Sequence, residues 1–320
     1  MKRLAGTLLI LLTCATAQAK PARVASLNLC ADELVLRLAD PGQVASVTFL
    51  ARDPRSSNVA DLARGVPVNR GLAEEIVPLA PDLVIVGAFT TRTTTALLRR
   101  LGLDVLELGV PQTLDEAYIQ IRLVAARLGT PERGEAMVRQ MEEAFARLPP
   151  PAAHPPSAIV LRPNGFTAGR GSLPGEVMAR AGLDNLAARL SADRLGQLAL
   201  EEVVWAQPDI LVVNAAPDAP LSLADDLLSH PALASFRSTG RSVALPIRLW
   251  TCAGPELAEA AERLAEAAQK ATQGATGASA QVTVAVAPRG ARPSAPAGTQ
   301  DAVPAAAPAA TAVAPQPIAP

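Results

Sequence analysis

Along this 320-residue chain, short runs of aliphatic and β-branched residues alternate with stretches whose apolar positions fall three or four apart. Residues 23–27, 43–47, 83–86 and 105–108 make a first set of predicted strands, and residues 158–161, 210–213 and 242–245 a second. Leu83-Val84-Ile85-Val86 is apolar at every position, which suits a strand of a parallel sheet with helices on both faces. The pattern predicts an α/β fold of two Rossmann-like lobes. Between the two sets lie predicted helices over residues 114–128 and 131–148. In the second, Val138, Met141, Phe145 and Leu148 recur at helical spacing, Pro131 suits a first turn, and Pro149-Pro150-Pro151 ends the run. This helix is predicted to be one long, rigid connector between the lobes.

A repeat supports the division. Glu74-Glu75-Ile76-Val77, three further residues, then Pro81 and Asp82-Leu83-Val84-Ile85-Val86 form a unit that recurs 127 positions later. The second copy reads Glu201-Glu202-Val203-Val204, then Pro208, then Asp209-Ile210-Leu211-Val212-Val213. Each copy predicts a short helix carrying two glutamates, a proline stop and a buried strand. Two lobes built on one supersecondary unit imply a cleft between them.

The chain ends read differently. Lys2-Arg3, the apolar stretch from Leu4 to Leu12 and the small-residue close Ala17-Gln18-Ala19 form the three parts of a secretory signal, with cleavage after Ala19. The apolar stretch is too short for a permanent membrane span. Lipid attachment at Cys14 is the less suitable reading, because Thr13 before it is bulky. Residues 271–320 hold 18 Ala and 8 Pro and are predicted to be a disordered tail. The expected organisation is an export signal at 1–19, a lobe at 20–112, a helical segment at 113–150, a second lobe at 151–270 and the tail. A formal net charge of −1, with no basic cluster in the mature chain, gives no reason to expect nucleic acid.

Four segments together resemble a known family. They are Val24-Ala25-Ser26-Leu27-Asn28-Leu29-Cys30-Ala31-Asp32-Glu33-Leu34, the two Glu-x-[Ile/Val]…Pro-Asp units, Ala168-Gly169-Arg170-Gly171-Ser172-Leu173 with Ala181-Gly182-Leu183-Asp184-Asn185, and Leu249-Trp250-Thr251-Cys252-Ala253-Gly254-Pro255. The chain resembles the class III, helical-backbone periplasmic binding proteins that serve ferric-siderophore, haem and cobalamin importers, over nearly all of residues 23–269. The resemblance implies a monomeric periplasmic carrier that passes its cargo to the permease dimer of an ABC importer, with its ATPase. It also implies docking through one glutamate on each lobe, here Glu74 and Glu201. Acidic residues in a first helical turn also complement the helix dipole, but their duplication at matching sites favours docking.

Ligands of doubly wound sheets sit where loops leave the carboxyl ends of strands. That rule nominates Asn28 and Cys30, then Phe49 and Arg52, then Phe89 and Arg92 in the first lobe. In the second it nominates Arg162, Asn164, Phe166 and Arg170, with Arg248, Trp250 and Cys252 near the end. Guanidinium groups mixed with aromatic rings suit a chelate with an anionic or carbonyl-rich shell around an apolar body. Each phenylalanine could equally fill the core, and each arginine could be an ordinary surface residue. Trp205 is predicted to pack against the strand after it. Cys30 and Cys252 are the cysteines of the mature chain, and exported pairs usually bond. A bond between the first strand of one lobe and the last loop of the other would staple the cleft, so the pairing stays open, with a lean to two cleft thiols.

Other chemistries lack their residues. Residues 169–175 carry Pro174 where a dinucleotide fingerprint needs glycine, and no Gly-Lys-Ser/Thr follows. There is no Gly-x-Ser-x-Gly elbow, and His154 and His230 offer neither a catalytic base nor, with no third histidine, a metal site. No enzyme activity, no cofactor and no directly bound metal are expected, so any metal arrives already chelated. Five candidate arginines favour a ferric siderophore. Cobalamin or haem is the alternative within the class, and an exported α/β enzyme the alternative outside it.

Overall fold

The computed structural model describes residues 19–190, 196–214 and 226–283. The predicted export signal, Cys14 included, therefore lies outside the described residues except at Ala19, and so does the chain after Thr283. The first lobe runs β1 (Val24–Ser26), α1 (Leu29–Leu38), β2 (Val44–Thr48), β3 (Val68–Asn69), α2 (Ala73–Ile76), β4 (Leu83–Gly87), α3 (Arg92–Arg100) and β5 (Val105–Leu108). Two longer helices follow, α4 (Leu114–Leu128) and α5 (Pro131–Ala146). The second lobe contains β6 (Ser157–Leu161), α6 (Leu173–Arg180), β7 (Asp184–Asn185), α7 (Leu200–Ala206), β8 (Ile210–Asn214), α8 (Asp226–Ser229), α9 (Ala234–Ser238) and β9 (Ser242–Leu245). It closes with α10 (Arg248–Thr251) and α11 (Glu256–Thr283). Each predicted strand is present, whereas β3 and β7, two residues each, are too short to carry a periodic signal.

Both sheets are parallel, in the orders β3-β2-β1-β4-β5 and β7-β6-β8-β9. The chain builds outward from β1 in one direction, then returns to its other side with β4. The second sheet does the same about β6, with β8 on the return. A crevice opens at the carboxyl end of such a switch point, because the loops on its two sides leave in opposite directions.

Strand alternation decides what each face covers. Val24, Leu83 and Ile85 face a core that also takes Val160 and Val212 from the second sheet, together with residues of α4, α5 and α11. Ala25, Val84 and Val86 face the outer side of the first lobe, and Ile159, Leu161 and Leu211 that of the second. The two lobes thus share one continuous apolar core, which strongly disfavours their separation in water.

The connector is α5, as predicted, but it does not stand free. It lies along α4, and a Cβ on Gly134 would come within 2.5 Å of the Ala125 Cβ, so only glycine permits this approach. At its start, Arg133 donates to the carbonyls of Leu38 and Ala39 at 3.0 and 2.6 Å. At the other end of the pair, the Leu114 N–H of α4 donates to Glu176 of the second lobe at 2.8 Å. One boundary is corrected: α11 continues through Thr283, past the predicted start of the tail at 271. The first proline after Pro255 is Pro288, so the alanine-rich stretch between them contains nothing that removes a helical hydrogen bond. Among the described residues, no helix is long and apolar enough to cross a membrane.

Candidate ligand cleft

A cavity of about 420 Å³ opens where the two switch points face one another. Loops after β1, β4 and β5 supply one wall; the end of β6, the start of α6 and the turn α10 supply the other. Asn28 follows β1 and caps α1, its side chain accepting from the N–H groups of Cys30 and Ala31 at 3.0 and 3.4 Å. A Cβ on Gly87 would fall 2.6 Å from the Asn28 Cγ, so glycine at the end of β4 lets this cap sit against the cleft floor. Phe89, next along that loop, is 87 % exposed at the lip.

Arg162 leaves the carboxyl end of β6, and its guanidinium carbon lies 5.5 Å from the ring centroid of Trp250. The Trp250 side chain is 3 % exposed, so this cation–π contact is largely shielded from water. Nε and Nη2 of Arg162 are buried and find no acceptor among the described residues. Burial lowers the pKa of the group, the direction expected for a cation withdrawn from solvent; a guanidinium nonetheless stays charged at neutral pH.

Asn28, Cys30, Phe89, Arg162 and Trp250 are therefore brought together, with Cys252 bonded to Cys30 behind the wall, and the other nominated residues do not line the cavity. Arg52 donates to the carbonyls of Ala63 and Val66 at 3.3 and 2.6 Å. Arg170 donates to the Ala188 carbonyl at 3.0 Å, and Arg248 to Asn58 Oδ1 at 2.8 Å. Arg92 and Phe49 are exposed and do not line the cavity. Phe166 bridges to Gln197, and the Asn164 carbonyl accepts from the side chain of the same Gln197. The reason for Phe49 and Arg52 is topological: β2 lies one strand away from the switch point, so its loop opens elsewhere.

Gln112, Gln120 and Ser172 also line the cleft and were not among the nominated residues. The rule that found Asn28 reaches Gln112 if it is applied to the loop after β5. Gln120 is buried on the inner face of α4 among apolar neighbours, and that break in the helical pattern is its signal. Ser172 caps α6, accepting from the Gly175 N–H at 3.2 Å. None of the described side chains lining the cleft is a histidine, tyrosine, methionine or carboxylate. Nor is there, among the described residues, any group of three His, Cys, Asp or Glu placed to hold a metal.

Cys30 and Cys252 form a disulfide, with Cα atoms 5.0 Å apart, which overturns the lean to free thiols. The geometric objection fails because the chain returns to the first lobe after α10. There the Asn58 Nδ2 donates to the Arg248 carbonyl at 2.7 Å, and Arg37 pairs with Glu256. Cys30, Glu33 and Arg37 lie at i, i+3 and i+7 on α1, one helical face, and this face forms a seam with residues 248–256. Glu33, 1 % exposed, accepts from the backbone and side-chain N–H groups of Asn58 at 3.0 and 3.1 Å and faces Arg37 at 3.4 Å. Burial raises the pKa of Glu256 despite the neighbouring Arg37. Outside both cleft and seam, the buried Asp32 accepts from the Thr48 N–H at 3.1 Å and its hydroxyl at 2.5 Å, and burial pushes its pKa up to about 7.

Glu74 and Glu201 are both exposed in the first turns of α2 and α7, and among the described residues neither makes an ion pair. Their neighbours serve the helices: Glu75 accepts from the N–H groups of Arg70 and Leu72, and Glu202 from that of Ala199. Trp205 does not pack inward as predicted but is 86 % exposed. The seven-residue helix α7 fully buries Val203, and a residue two positions on falls on the opposite side, the side that carries Glu201.

Residues 24–241 match a family described as periplasmic binding protein. The apo form of the periplasmic haem-binding protein RhuT from Roseiflexus sp. RS-1 superposes with a TM-score of 0.63 at 29 % identity, covering 78 % of this chain and 98 % of that one. A cobalamin-binding protein of Halobacterium salinarum is 25 % identical over 264 residues, which is 79 % of this chain and 70 % of the relative. The periplasmic vitamin B12 binding protein BtuF of Vibrio cholerae shares the fold, with a TM-score of 0.58 at 19 % identity over 79 % of this chain and 98 % of that one.

Proposed function

Since the chain belongs to the periplasmic binding protein family, within the class that handles iron chelates, haem and vitamin B12, we propose that it captures a corrinoid of the cobalamin type and delivers it to an inner-membrane importer. Proteins of this class bind cargo and do not transform it. The observation that carries the reading is the chemistry of the cleft wall: one guanidinium with two buried nitrogens that find no acceptor, the uncharged amides of Asn28, Gln112 and Gln120, the ring of Phe89, and, among the described residues, no histidine, tyrosine, methionine or carboxylate. A cobalamin presents matching chemistry, with a fringe of carboxamides, an apolar ring edge and a single phosphodiester anion around a cobalt already held by its own ligands. The Halobacterium relative, named for the same cargo, supports the choice.

A ferric siderophore with a carboxylate is the second reading, and Arg162 favours it. A wider case for an anionic iron chelate needs all five arginines, and Arg52, Arg170 and Arg248 donate to partners elsewhere while Arg92 does not line the cavity. For haem, the described side chains lining the cleft include no histidine, tyrosine or methionine to serve as an axial ligand, and Tyr118 is packed in the core. Calorimetric titration of the chain with cyanocobalamin, a ferric hydroxamate, ferric citrate and haemin separates these cargoes. Tightest 1:1 binding to cyanocobalamin is expected. Tighter binding of a ferric chelate would replace the corrinoid reading with the second.

For docking, the exposed Glu74 and Glu201, one per lobe, would meet basic residues of a two-fold permease, giving an association that salt weakens. Export through a signal at residues 1–19 belongs to the same proposal and accords with the periplasmic location named for the Roseiflexus relative.

A further inference from the structure

Cys30 lies on α1 of the first lobe, and Cys252 follows 222 residues later, just past α10 of the second. Cys30 lines the cleft itself, and Cys252 is two residues from Trp250, whose ring supports Arg162. We propose that this disulfide is a positioning device for the ligand site: it sets the spacing of the two cleft walls and holds Trp250 in its seat against Arg162.

The turn α10 carries Trp250. It has four residues and one turn, closed by the N–H groups of Leu249, Trp250 and Thr251 on the carbonyls of Pro246 and Ile247. A single turn is not stable by itself, so its position follows from what fixes its ends. At one end β9 ties it to the second sheet. At the other, the bond to Cys30 ties it to the first turn of α1, whose cap, Asn28, also lines the cleft. The bond therefore connects the Asn28 wall and the Trp250 wall by the shortest covalent path the fold offers. Seam contacts such as Asn58 with Arg248 and Arg37 with Glu256, and the packing of Leu249 and Trp250 in the shared core, hold the same segment, but none of them is a covalent link from the far end of α10 to α1.

Reduction by a dithiol gives a defined chemical change. A thiolate of the reagent attacks one sulfur of the bridge and forms a mixed disulfide. That attack expels the other protein sulfur as a thiolate, and the reagent's second thiol then displaces the attacked protein sulfur from the mixed disulfide, leaving Cys30 and Cys252 as thiols and the reagent as a cyclic disulfide. With the tether cut, α10 is free to shift and Trp250 loses part of its burial.

The test uses the full chain carrying Trp205→Phe, which leaves Trp250 as its sole tryptophan. Acrylamide quenching of Trp250 is measured in the oxidised chain, after dithiothreitol treatment, and in a Cys30→Ala/Cys252→Ala version, with far-UV circular dichroism as the check on folding. The expected result is a several-fold rise in quenching with unchanged secondary structure, together with a loss of about tenfold or more in affinity for cyanocobalamin. Equal quenching in all three forms, even with a lowered melting temperature, would overturn the proposal, because the bond would then only stabilise the fold. Unfolding on reduction would overturn it too, as would quenching that rises while cyanocobalamin, or whichever chelate binds the oxidised chain, keeps its affinity. The affinity arm rests on the cargo reading and the quenching arm does not. If no chelate binds yet quenching rises, the cargo reading fails and the positioning role stands.

Discussion

The cleft and the seam beside it draw on the same stretch of chain, around residues 248–256, yet they treat charge in opposite ways. In the seam, Glu33 is satisfied by Asn58, Arg37 lies between Glu33 and Glu256, and Arg248 and Asn58 exchange two hydrogen bonds. In the cleft, two nitrogens of Arg162 are withdrawn from water and given no acceptor among the described residues. An unsatisfied buried donor is a cost that the fold gains nothing from bearing. The difference separates charges that hold the molecule together from a charge kept for a guest.

The strongest way to break that contrast is in the seam. Arg37→Ala leaves Glu33 and Glu256 facing each other without their cation, and a loss of about 3 to 5 kcal/mol in unfolding free energy is expected, read as a fall in denaturant midpoint at unchanged slope. Arg162→Ala sharpens the contrast from the other side. It should cost cargo affinity about 2 kcal/mol or more while leaving unfolding stability unchanged or raised, because it deletes an unpaired buried charge. If it destabilises the chain as much as Arg37→Ala does, Arg162 belongs to the fold and the contrast disappears.

Asp32 offers a smaller, pH-dependent comparison, since it is a buried carboxyl group that belongs to neither region. Its folded pKa of about 7 lies above the ordinary carboxylate value of 3.8, so the folded chain binds the proton more tightly than the unfolded one. Its contribution to stability is therefore fully present below about pH 4 and is lost as pH rises towards 7, with a slope of at most about 1.4 kcal/mol per pH unit. Denaturation midpoints of the native chain and of Asp32→Asn between pH 4 and 8 should converge or cross as pH rises; parallel curves would show that the group does not titrate in this window. The smallest effect on the isolated protein is expected at the rim. Glu74→Lys with Glu201→Lys should leave melting and cargo affinity within about 0.5 kcal/mol of the native chain while abolishing uptake in a reconstituted importer. A loss of affinity would move these residues into the site.

How far the sequence discloses this arrangement depends on the kind of interaction. Leu83-Val84-Ile85-Val86 and its second-lobe counterpart declare themselves as buried strands because every position is apolar, and the repeat exposes the two-lobe plan. Asn28, Phe89 and Arg162 are legible because a strand's carboxyl end at a switch point is a topological place that strand order implies. The fate of Arg52 and Arg170 is not legible, because the carbonyls of Ala63, Val66 and Ala188 that occupy them come into reach only when loops fold. The bond between Cys30 and Cys252 is not legible for a related reason: the return of residues 248–256 to α1 depends on a side-chain seam that no periodicity records. The i, i+3, i+7 spacing of Cys30, Glu33 and Arg37 was its only trace. Trp205 shows the limit of composition, since a tryptophan in a short helix was given a buried place that α7, with its single fully buried position, could not provide.

The central claim is that the walls meeting at Arg162 and Trp250 take up a complete chelate and give it back unaltered. Equilibrium dialysis of the full chain against cyanocobalamin, followed by release in denaturant and an absorbance spectrum of the freed cargo, tests it most directly. One equivalent bound per chain, released with its spectrum unchanged and absent from the Arg162→Ala protein, is the predicted result. Retention of cyanocobalamin by Arg162→Ala as strongly as by the native chain, or cargo released in a changed form, would contradict it.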